Sequence, residues 1–138
     1  MKTKFLNINV QGLATKGHFE RFVRRCKSEG SDTSVFMVQE HNISPRGIPN
    51  PRGAKETHTS VAQLKQYAEY HGFDMAIAHA PAGLNGTHWG GTMTLIRRAV
   101  GVLESIIEHE AGALETVVNF GGESFRLLNV YAPKLQSY

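Results

Sequence analysis

Cysteine is nearly absent: Cys26 is alone in 138 residues, so no internal disulfide framework is available, and no CxxC or Cys/His spacing offers a zinc site. Long apolar runs are missing too. Nowhere do about 18 apolar residues follow one another, the length a membrane-crossing helix needs. The opening Met1 to Lys4 is followed by Phe5-Leu6 and then Asn7, Asn9 and Gln11, not by the apolar stretch of a secretory leader. These absences point to the cytoplasm or nucleus, away from membranes and secretion. No GxSxG elbow is present, and His109-Glu110 lacks a second histidine four residues on, so the HExxH pattern fails. The seven histidines are scattered without ligand spacing. Fifteen Lys and Arg against twelve Asp and Glu leave a net charge of +3, compatible with a polyanionic partner but too small to identify one.

What is present reads as one globular domain over 1–138, with 41% hydrophobic and 20% charged residues. Phe5 to Val10 alternate with the period of a strand. From His18 to Glu29, Phe19, Phe22, Val23 and Cys26 fall on one helical face, and Gly30 ends the helix. Val35 to Val38 are apolar on both sides, as in a central strand, which then delivers Gln39 and Glu40 at its carboxyl end. Residues 42–56 hold Pro45, Pro49, Pro51, Gly47 and Gly53 and are expected to form an exposed loop without regular structure. Ser60 and Gln63 have capping-box spacing, which predicts a second helix up to Gly72. Strands follow at 73–79, 92–97, 102–109, 114–120 and 125–132, the last two joined by a tight hairpin at Gly121-Gly122-Glu123. The order predicts a mixed α/β layer.

Glu40 is a candidate ligand for a hard cation because a fully apolar strand would hold its carboxylate rigidly at a sheet edge. The plain alternative is a solvated strand-end glutamate. Asn9 could orient that carboxylate or contact a phosphate, or it could simply open the turn before Gly12. Tyr131 could donate to a phosphate oxygen or serve only as an amphipathic packing residue. Trp89, in the glycine-rich stretch 83–91, could stack on a base, although a loop glycine cluster explains that stretch equally. Arg46, Arg52 and Lys55 make the long loop basic and could touch phosphates, with a solvated charged loop as the alternative.

Taken in order, Asn9-Val10-Gln11-Gly12-Leu13, Val38-Gln39-Glu40, the run from Trp89 to Arg98 and Asn129-Val130-Tyr131-Ala132-Pro133 resemble the opening half of an endonuclease/exonuclease/phosphatase domain. They look most like the endonuclease domains of non-LTR (LINE-type) retrotransposons. The resemblance implies the first half of a DNase I-like four-layer α/β sandwich, a mixed sheet with flanking helices, truncated at its carboxyl end. It implies phosphodiester hydrolysis with Mg²⁺ (or Mn²⁺) and DNA as partner. Asn9 and Glu40 would belong to the metal and phosphate centre, Tyr131 would line the catalytic pocket, and Gln39 would support Glu40. Gln11, Gln39 and Lys134 would be substrate contacts, although Gln11 and Lys134 stand where abasic-site members carry Asp and Asn. The family's later Gly-Asp-x-Asn and Asp-His motifs do not occur within 1–138. The expectation is therefore a chain inactive alone, with one sheet's inner face lacking its partner, and with self-association or a missing C-terminal half to cover it. The alternatives are a non-catalytic relic that binds nucleic acid or another partner, and a phosphatase of the same family.

Overall fold

A computed structural model of the chain describes residues 3–83 and 86–131. Strand β1 (Phe5–Asn9) leads into helix α1 (Lys16–Ser28), where the Thr15 hydroxyl accepts the His18 N–H at 3.0 Å and satisfies one of the free donors of the first turn. The helix buries Phe19, Val23 and Cys26. Burial pushes the Cys26 thiol up to about 12, so it remains a protonated packing group. Strand β2 (Val35–Gln39) follows.

The next segment departs from the expected bare loop. Strands β3 (Ile48–Pro49) and β4 (His58–Thr59) pair, and Ile43 and Ile48 are buried in the main core. Each burial of a side chain this size stabilises by about 1.5–3 kcal/mol. The prolines and glycines mark where the chain turns, but the two isoleucines between them pin it down. Helix α2 (Val61–Tyr70) opens with both halves of the capping box: Gln63 N–H donates to the Ser60 hydroxyl, and Ser60 N–H donates to the Gln63 side-chain oxygen at 2.8 Å.

Strands β5 (Phe73–Ala78) and β6 (Thr92–Arg97) complete a four-stranded sheet in the order β1-β2-β6-β5. Only the β1–β2 pairing within it is parallel, which makes the sheet mixed. Strands β7 (Val102–Glu108), β8 (Leu114–Phe120) and β9 (Glu123–Asn129) form a second, antiparallel sheet. Gly121 and Gly122, at φ of 60° and 94°, make the two-residue turn between β8 and β9, a conformation only glycine adopts freely at both positions.

Both helices pack on one face of the four-stranded sheet, where Phe19, Val23, Leu64 and Ala68 meet Phe36, Phe73 and Leu95. The opposite face meets the second sheet through Val35, Ile96, Val118 and Phe120 and, further along, through Ala76, Ala78 and Leu114. The expectation of an inner face without a partner is corrected in part: the inner faces cover each other at their centre, while Phe5, Ile106 and Phe125 on the inward-facing register stay 38–43% exposed. Val102, Ile107 and Leu128 are exposed on the second sheet's outer face, and the edges of β1 and β9, unpaired among the described residues, lie on one flank. Among the described residues no helix is long and apolar enough to cross a membrane.

Candidate functional site

Parallel pairing of β1 with β2 brings their carboxyl ends to one edge, with Asn9 beside Gln39. The antiparallel neighbours place the start of β6 there too, Thr92 opposite both Gln39 and Ala78. Glu40 is the first residue past β2. Its N–H donates to Gly91 O at 2.8 Å and its carbonyl accepts the Gly12 N–H at 2.7 Å, so the backbone is held from both sides. It sits at φ 63°, a left-handed conformation that costs a side-chain-bearing residue roughly 1–2 kcal/mol. The half-buried carboxylate makes no hydrogen bond or ion pair with any described residue.

His41 anchors the turn from below. It is fully buried, with Nε2–H donating to Ala78 O at 2.9 Å and Nδ1 accepting the Ile43 N–H at 2.8 Å, which fixes a neutral imidazole. Burial first, opposed by the hydrogen bonds to the Ala78 and Thr92 backbone, brings its pKa down from 6.5 to about 4. Between those values the unfolded chain takes up a proton that the folded chain refuses. Stability in EDTA is therefore expected to fall as pH drops from 6.5 towards 4, in total by on the order of 3 kcal/mol. Urea denaturation across that range checks this; a His41→Gln variant should lose the slope, whatever it loses in overall stability.

Asn42, which the sequence reading passed over, clasps Gly90 twice. Its N–H donates to Gly90 O at 2.9 Å, and its Oδ1 accepts the Gly90 N–H at 2.7 Å. The Tyr131 ring covers the other side of Gly90, where an added Cβ would come within 3.3 Å of it. Tyr131, Gly90, Asn42 and Glu40 are thus one contiguous group. Asn9 is exposed at its margin and spends one lone pair of Oδ1 on the Gln11 N–H at 3.0 Å, the turn-opening use of asparagine, with its amide N–H groups still available. Gln11 is exposed at φ 52°. Lys134 lies outside the described residues.

Gln39 supports Glu40 only along the backbone. Its side-chain amide turns inward, donating to Asn129 Oδ1 at 2.8 Å and to Met37 O at 3.0 Å. Asn129 is buried and donates in turn to Met93 O at 2.9 Å, with Val38 O and Thr94 Oγ1 each at 3.3 Å. A polar residue on the inward-facing register of Phe125, Leu127 and Asn129 was the one sequence signal for this pin between the sheets.

Among the described residues no three His, Cys, Asp or Glu side chains gather as a metal-binding group. What the edge does offer is one rigid, unpaired carboxylate beside amide and phenol groups. That donor set fits Mg²⁺, which takes one or two carboxylates and fills its remaining positions with water and substrate phosphate.

No protein-family model matches the chain, and no curated protein matches its sequence. Solved structures do match. An endonuclease/exonuclease/phosphatase family protein from Leptotrichia buccalis C-1013-b aligns over 94% of this chain and 55% of its own, at 11% identity and a TM-score of 0.57. A humanized D. rerio TDP2 with 14 mutations aligns over 91% of this chain and 45% of its own, at 14% identity and a TM-score of 0.48. The first likeness shows a shared fold: this chain has the DNase I-like architecture of stacked mixed and antiparallel sheets with helices outside, and it spans about 55% of that neighbour's length.

Proposed function

We propose that this chain supplies the Glu40 part of a divalent-cation-dependent phosphodiesterase centre that cuts DNA, of the retroelement endonuclease type. The carrying observation is the Glu40 carboxylate, held at a sheet edge in a left-handed turn and without a hydrogen-bond or ion-pair partner among the described residues, in one group with Asn42 and Tyr131 and with Asn9 at its margin. A side-chain-bearing residue held in a costly left-handed conformation at a sheet edge is a place where strain and function commonly coincide. The shared fold supports the same reading.

In it, Glu40 would be the protein ligand to Mg²⁺ or Mn²⁺, with the remaining Asn9 oxygen lone pair as an outer contributor. The cation, when bound, would neutralise phosphate charge and lower the pKa of a water. Asn9 would donate from its amide to a phosphate oxygen. Tyr131, steadied on Gly90, would donate from its phenol where charge develops, and the buried His41 would keep the Glu40 backbone fixed without touching substrate. The unpaired edges of β1 and β9 support an extension of this proposal, in which further catalytic groups arrive on polypeptide pairing along that flank, another copy included.

The test is nicking of supercoiled DNA by the purified chain with Mg²⁺ or with EDTA, alongside Mn²⁺ broadening of backbone amide resonances at 9–12, 39–42 and 90–91. Nicking that EDTA abolishes supports the proposal. Broadening without nicking would mean a cation-binding module without turnover, and a folded chain showing neither would overturn the reading.

A further inference from the structure

Trp89 is 63% exposed immediately before the glycine pair that holds Glu40, an unusual place to leave an indole in water. It is not loose. Its Nε1–H donates to Thr87 Oγ1 at 2.9 Å, its backbone N–H donates to Pro81 O at 3.3 Å, and the preceding His88 donates from Nδ1 to Ala80 O at 2.8 Å. The ring's only polar handle is thereby satisfied within its own strap while much of the ring surface stays exposed.

Position gives that surface a use. Residues 90 and 91 bond to 42 and 40 while turning at φ of 87° and 79°, so Trp89 stands on the same strap two residues from the one bonded to Glu40. Exposed Arg46 belongs to the Ser44–Gly47 turn, which joins the same strap through the Ala80 N–H to Ile43 O bond at 3.1 Å and adds positive charge nearby. An immobilised aromatic face, a cation and a phosphate-directed carboxylate in sequence match what single-stranded nucleic acid presents: bases to stack and phosphates to neutralise.

We infer that Trp89 is a stacking platform for an unpaired nucleobase flanking the phosphate held at Glu40, so that the preferred ligand is DNA with locally unpaired bases. The inference rests on the phosphodiesterase reading. It is separable from it because a phosphate centre alone does not need bases.

The chain contains a single tryptophan, so its fluorescence reports this position alone. A short single-stranded oligodeoxynucleotide and the same backbone with abasic residues are each titrated in EDTA, where no cleavage intervenes. The expected result is quenching by the base-bearing strand with affinity about 5- to 150-fold tighter than for the abasic strand. Read by the anisotropy of a dye-labelled strand, since both variants lack the tryptophan, Trp89→Ala should remove that advantage without changing abasic binding, and Trp89→Phe should restore most of it. Equal affinity for both strands, with unchanged emission, would overturn stacking and leave the phosphodiesterase reading standing. Binding of neither strand would overturn stacking, and nicking with Mg²⁺ against EDTA would still decide the phosphodiesterase reading separately.

Discussion

In a centre completed by its further catalytic groups, Glu40→Gln is expected to lower divalent-cation-dependent nicking by about 10²- to 10⁴-fold, the rate equivalent of losing several kcal/mol of charge stabilisation at the phosphate. The change is isosteric and the carboxylate has no partner to lose among the described residues, so the unfolding free energy should stay within about 0.5 kcal/mol of the parent. A sharper form uses the backbone. Glu40→Gly relieves roughly 1–2 kcal/mol of left-handed strain and gives back about 0.5–1 through the greater freedom of the unfolded chain. The variant should therefore be as stable as the parent, or up to about 1.5 kcal/mol more stable, while losing the activity. A loss of more than about 1 kcal/mol on denaturation would mean the side chain holds the turn together, and the functional assignment would lose its main support.

Gly91→Ala should be among the most destabilising single-methyl additions. A Cβ there would lie 2.5 Å from His41 Cε1, 2.6 Å from Nε2 and 2.8 Å from the Ala80 backbone nitrogen, at φ 79°. Neither neighbour can yield cheaply, because both ring nitrogens of His41 and the Ala80 N–H are already bonded. Strain of roughly 1–2 kcal/mol and overpacking of about 1–3 together give a loss of about 2–5 kcal/mol. Gly53→Ala is the matched control, since at φ 89° it suffers the strain while its Cβ meets nothing within 4 Å. Chemical denaturation of the pair isolates the contact from the conformation; equal losses would mean the cage around Gly91 yields more readily than its bonding suggests.

Most of the scaffold was legible because its signals are local. The four-residue face of α1, the Ser60–Gln63 box and the Gly121-Gly122 turn each carry their own instruction within a few positions, and each forms as read. The edge position of Glu40 was legible for a related reason: a strand apolar on both faces must be central, and whatever follows it emerges at an edge. The partners of that residue were not legible. Asn42 reaches Gly90 across 48 positions, and Asn129 reaches Gln39 across 90, so nothing near either residue in the chain announces the bond. Ile43 and Ile48 were obscured differently, by surrounding prolines and glycines that predict turns correctly yet say nothing about which side chains between them find the core. The resemblance supplied the grouping of Asn9, Glu40 and Tyr131, which periodicity could not.

Asn129 has a mechanical consequence. One amide grips groups on β2 and β6 from the opposite sheet, so sliding β9 by one residue, about 3.3 Å, would break those bonds together. Hydrogen bonds from Thr92 Oγ1 to Gly112 O and from the His79 N–H to Glu108 Oε1 join the sheets at that same end, while toward the other end they meet through Val, Ile and Phe side chains, whose undirected contacts tolerate small slips. The sandwich therefore resists shear unevenly: it is stiffest directly beneath Glu40 and grows more compliant toward the opposite end of the strands.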